Sequence, residues 1–133
     1  MFAQSVLGNG VETWLEPEFL DSTINSEANE ITPFIDQEGN LYFARWNIDN
    51  YDIYKARKVG ENSWDTPKRL SPPINSEANE IAPVIFENQI FVASNRPNGQ
   101  GGYDIYAFDL CSSVTLELNF TESNNIFTSR DKI

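Results

Sequence analysis

The sequence predicts an all-β fold made of β-propeller blades, with two four-stranded antiparallel units forming part of a propeller. Three observations predict it: a duplicated octapeptide, further identities at a matching spacing, and short β-rich runs divided by turn residues. INSEANEI occupies residues 24–31 and recurs, letter for letter, at 74–81. Trp14, Pro17 and Leu20 return as Trp64, Pro67 and Leu70, Pro33 returns as Pro83, and YDIY at 51–54 returns at 103–106. The offset is 50 between Trp14 and Trp64, 49 between Leu41 and Ile90, and 52 between Tyr51 and Tyr103. A period of roughly 20 to 50 residues marks units that stack on copies of themselves. The changes in offset fall in expected loops, where insertions are tolerated.

Taken in order, residues 1–13 form an N-terminal lead, and 14–23 read as the outer strand of a preceding blade. The first blade spans 24–73. Asn25 and Ser26 can hold a connector by bonding backbone groups locally. Inner strand 30–36 contains Pro33, whose missing N–H requires a sheet edge or a bulge. Strands 40–45 and 51–57 are rich in aromatic and β-branched residues, and an outer strand covers 64–70. Residues 38–40, 47–50 and 60–62 supply the turn residues between them. The second blade spans 74–120, its outer strand being the alternating run 114–120, and a tail follows at 121–133. Four short strands per 50-residue unit match a propeller blade.

Composition narrows the function. With 40% hydrophobic and 13% aromatic residues, the 133-residue chain can bury a modest core. Its formal charge of −11 would repel nucleic acid and an anionic membrane surface alike. No apolar run approaches the roughly 18 residues of a membrane span, so no membrane insertion is expected. Histidine is absent, which excludes imidazole-dependent triads and histidine zinc sites. The single cysteine, Cys111, has no internal disulfide partner. Asn119 heads one glycosylation sequon. The acidic side chains leave a glycoside hydrolase fragment as a lesser reading, but no sialidase-type SxDxGxTW box occurs and the arginines are scattered. A non-catalytic binding module is the expectation.

The series W..P..L, NSEANE, LYFA, SNR and YDIY resembles the WD40-like, TolB-type β-propeller repeat of bacterial envelope and secreted proteins. The resemblance covers roughly residues 14–110. It implies a scaffold for protein partners in the periplasm or extracellular space. Read from its own residues, the N-terminal MFAQS has no basic or apolar export signal, and Phe2 to Ser5 could be the scar of a trimmed signal peptide. Two departures are visible. The Asp-Gly turn before the second strand is Glu38-Gly39 in the first copy and Glu87-Asn88 in the second, and Ser94-Asn95-Arg96 is replaced by Arg45-Trp46-Asn47. The triplet is therefore not expected to have a role required in every blade.

Each candidate site residue has a structural and a functional reading. Glu30 and Glu80, with Glu27 and Glu77, either punctuate the connector or build a carboxylate ring for a cation such as calcium. No other cofactor is expected. Asp52 and Asp104 either bond a neighbouring turn or form part of a site. Trp46, in a loop, offers an aromatic face to a protein partner or, in a lectin-like alternative, to a glycan. Asn95 and Arg96 belong to the SNR triplet, and Asn98 opens a glycine-rich loop that a ligand could approach closely. Propellers need about four to eight blades. The two blades therefore belong to a longer propeller, assemble with other copies into a ring, or stand alone as a two-sheet unit.

Overall fold

A computed structural model describes residues 5–8 and 10–110. The described chain is all-β, antiparallel throughout and without a helix. It thus contains no helix long and apolar enough to cross a membrane. Strands β1 (Ser5–Gly8) and β2 (Val11–Trp14) form a hairpin. Strands β3 (Glu30–Ile35), β4 (Leu41–Asn47) and β5 (Asn50–Ala56) follow as a meander. A small hairpin, β6 (Lys58–Gly60) with β7 (Ser63–Trp64), then leads to β8 (Lys68–Arg69), which returns to pair with β5. The four-stranded sheet therefore runs β3-β4-β5-β8. A second meander, β9 (Glu80–Phe86), β10 (Gln89–Ser94) and β11 (Asp104–Asp109), gives a three-stranded sheet.

The inner strands share a feature that a proline imposes. Thr32 and Ala82, each just before Pro33 or Pro83, have φ of 51° and 55°. At both places the register slips against the second strand, passing from Ile31 to Phe34 and from Ile81 to Val84. Proline cannot donate to the ladder, and it disfavours the right-handed helical region for the residue before it, so the strand bulges there.

Alternation along β4 divides the core. Leu41 and Phe43 point to one face, where they pack with Ile24, Ala56 and Trp64. Tyr42 and Ala44 point to the other, where with Ile53 they meet Ile90 and Val92 of the second sheet. The two sheets thus stack face to face, and Thr32 Oγ1 accepts a hydrogen bond from Ala82 N at 2.9 Å across their inner strands.

Three expected boundaries change. The outer strand expected over 64–70 divides, with Trp64 in the small hairpin and only Lys68–Arg69 paired to β5. Trp64 turns inward, donates its indole N–H to Gly39 O at 2.8 Å and is 7% exposed. The strand expected from Trp14 onward stops at Trp14, the last residue of β2. Trp14 is 68% exposed although it holds the same sequence position as Trp64. Finally, the lead contains the β1–β2 hairpin, about one period upstream of β6–β7. The outer strand read at 114–120, Cys111, the Asn119 sequon and the tail lie outside the described residues.

Asn75 ties the sheets at their edge. Its side chain accepts from Ile53 N at 2.7 Å and donates to Ile53 O and Leu70 O, both at 2.9 Å, with 1% exposure. Asn75→Ala leaves the Ile53 N–H buried and unpaired, so urea unfolding should show a loss of about 2 kcal/mol. Asn25→Ala, which removes one bond to Leu20 O from a half-buried side chain, should lose under about 1 kcal/mol.

Candidate functional site

The duplicated octapeptide folds twice into the same hydrogen-bonded turn. In the first copy the Glu30 carboxylate accepts from Ser26 N at 3.2 Å and from Ser26 Oγ, while Ser26 Oγ accepts from Ala28 N at 3.1 Å. In the second, Glu80 accepts from Ser76 N at 3.0 Å and Ser76 Oγ at 2.6 Å, and Ser76 Oγ accepts from Ala78 N at 3.1 Å. Serine and glutamate four residues apart therefore close the connector before it enters the inner strand, which accounts for their identity.

Arginine completes each turn from a different position. Arg45 donates to Glu30 Oε1 at 2.7 Å and to Ile24 O at 2.8 Å. Arg96 donates to Glu80 Oε1 at 3.1 Å and to Ile74 O at 2.8 Å. Both guanidiniums also lie over aromatic rings, Arg45 above Phe43 and Tyr54, Arg96 above Tyr106 and Phe108. The departure of the first copy from SNR is thus compensated. One arginine starts from the strand position opposite the glutamate, the other from two residues beyond its end, and both reach the same atoms. An arginine thus meets the glutamate in both units, although only the second unit draws it from the triplet.

This arrangement bears directly on a cation at Glu30 and Glu80. Each carboxylate already faces a guanidinium and serine donors, two at Glu30 and three at Glu80, so a cation would have to displace an arginine from a largely desolvated pair. Among the described residues, no cluster of three or more carboxylates has ligand geometry.

The two YDIY aspartates hold the loop between second and third strands. Asp52 is fully buried and accepts from Asn47 Nδ2 at 3.1 Å and Asn50 Nδ2 at 3.3 Å. Arg69 grips it from β8 with two bonds of 2.8 and 3.1 Å, and that hydrogen-bonded contact raises the arginine's pKa above its ordinary value. Asp104 receives Gln100 N at 2.8 Å and Gly101 N at 3.2 Å, folding the glycine-rich loop onto itself. A Cβ on Gly99 would stand 2.1 Å from Asp104 Oδ2, so a larger residue there would push the carboxylate away from the loop N–H groups it accepts.

Two further groups are perturbed for structural reasons. Asp65 is held below the usual carboxylate value, chiefly by accepting the Arg57 backbone N–H and then by the Arg57 guanidinium. Burial raises Tyr42, opposed by the neighbouring Lys55.

Of the other candidates, Asn95 exchanges bonds with Asn79, accepting from its N–H at 2.8 Å and donating its own N–H to Asn79 O at 3.3 Å. Asn98 lies exposed at the loop tip with φ of 74°. Trp46 is 39% exposed and packs edge-on against Tyr51 at 5.1 Å. Beside it, the β4–β5 hairpin turns at Ile48 and Asp49, and Ile48 has φ of 63° with 83% exposure. Sequence reasoning missed Ile48. Its signal was an isoleucine in a two-residue turn position that ordinarily takes glycine or asparagine.

No protein-family model, curated protein or solved structure matches this chain.

Proposed function

We propose that the chain is a non-catalytic docking scaffold, a segment of a WD40-like, TolB-type β-propeller working in the bacterial periplasm or outside the cell. The observation that carries this reading is the Ile48 tip. A β-branched side chain is held in a left-handed backbone conformation and presented to solvent beside Trp46. Strain of this kind, of order 1 to 3 kcal/mol, persists where surrounding structure enforces it and clusters at contact sites. The carboxylates that could do chemistry are otherwise engaged, with Asp52 and Glu80 each gripped by an arginine. That favours scaffold over glycoside hydrolase.

A photo-crosslinking side chain placed at Ile48 tests the proposal in the cell of origin. It should capture one discrete protein species, and capture should fall when Trp46→Ala is added. The lectin-like reading predicts instead that wild-type protein binds defined glycans on an array and that Trp46→Ala abolishes the signal. A positive array with no crosslinked species would replace the docking reading.

A further inference from the structure

The interface between the two sheets joins unlike faces. The first sheet contributes what we term its A face, carrying Tyr42, Ala44 and Ile53, and the second contributes its B face, carrying Ile90 and Val92. Among the described residues, the other face of each sheet has no second meander stacked on it. On the first it is the B face, where Leu41 and Phe43 stand at the sequence positions of Ile90 and Val92 but are buried by Ile24 and Trp64 rather than by a second sheet. On the second it is the A face, where Tyr103 and Ile105 stand at the positions of Tyr51 and Ile53.

Exposure follows this division on the A face and along the inner strand of the B face. Ile53 is 0% exposed and Ile105 is 72%. Pro83 is fully buried whereas Pro33 is exposed, and Ile35, at the position of half-buried Ile85, is 42% exposed. Beside that cluster the B face leaves a largely apolar cleft of about 420 Å³ between Leu20, Ile24, Pro33 and Phe43. Asn25 sits at its edge, oriented by donating to Leu20 O at 3.0 Å as Asn75 donates to Leu70 O. Asn75 uses its remaining capacity on the backbone of Ile53 in the facing sheet. Asn25 has no such facing strand among the described residues.

We infer that the two open faces of this chain dock onto each other between copies. The A face of one copy, with Ile105, enters the B-face cleft of the next, and Asn25 brackets the Ile105 backbone as Asn75 brackets that of Ile53. The occupant is argued from continuity with the observed interface, because Ile24, Asn25, Pro33, Tyr103 and Ile105 are letter-identical to residues that already mate within the chain. A contact between unlike faces repeats head to tail, producing a ring if the rotation closes. The inference rests on the sheet faces rather than on the Ile48 tip, so it and the scaffold reading fail separately.

Light scattering and sedimentation over a micromolar to millimolar range test it. Wild type should gain mass with concentration by whole multiples of the monomer. Ile35→Arg and Ile105→Arg each block one face at a side chain exposed in the monomer, and each variant alone should stay monomeric. Their equimolar mixture should form dimers and nothing larger, because each contributes one intact face. Circular dichroism melts confirm that both variants fold, and Tyr103→Asp provides a second block of the A face. Wild type that remains monomeric throughout, or variants that assemble as wild type does, would overturn the inference.

Discussion

Glu80→Gln should lower stability by about 3 to 5 kcal/mol, the range for breaking a buried ion pair from one side. For a domain of this size that is a fall in melting temperature of more than roughly 10 °C. The Glu80 side chain is 0% exposed, and its carboxylate accepts from Ser76, Ser94 and Arg96. The neutral amide retains the shape but leaves the Arg96 charge, 17% exposed, without its counterion. Glu30→Gln removes the corresponding partner of Arg45, but there the carboxylate is 12% exposed beside the open cleft. Water can reach that site, and the loss should be about 1 to 2 kcal/mol, between surface and buried pairs. Thermal melts of the two variants side by side would check both values. Equal losses would mean that the second sheet's turn is no better sealed than the first.

Ile53→Ala is the second large effect. Ile53 is fully buried where the sheets meet, packed with Tyr42, Ala44, Ile90 and Val92. Truncation leaves a cavity between two sheets that cannot close without moving both, so the loss should reach about 2 to 5 kcal/mol. Ile105→Ala changes the same letter at the same position of the second YDIY. With 72% of Ile105 exposed, its effect in dilute solution should stay within about 0.5 kcal/mol. Urea denaturation of both proteins at low concentration makes the comparison. A large loss at Ile105 would show its side chain covered in solution.

Much of this architecture was legible from local chemistry. Pro33 and Pro83 required a bulge or edge because proline lacks a donor, and both bulges are present. The turn at Asn25 and Ser26 was readable because serine and asparagine bond their own backbone neighbourhood. The aspartates of YDIY did bond adjacent loops, as one of their two readings required. What escaped was any feature set by a partner distant in sequence. Arg45 and Arg96 start from non-equivalent positions and end on equivalent atoms, because a long flexible side chain compensates for two residues of displacement. Trp64 leaves the outer strand to reach Gly39, 25 residues away, and alternation along the strand carries no sign of that.

The sequence by itself determined that the described residues are all-β and that asparagine and serine hold each connector, since these depend on neighbours within a few residues. Only the tertiary structure decided which copy of each identical residue is sealed and which is open. Tyr51 and Tyr103, Ile53 and Ile105, and Asn25 and Asn75 are spelled alike, but burial depends on what stands across the sheet. Among the described residues, one face of each sheet meets the other sheet and its opposite face does not, and no local pattern of letters encodes that difference.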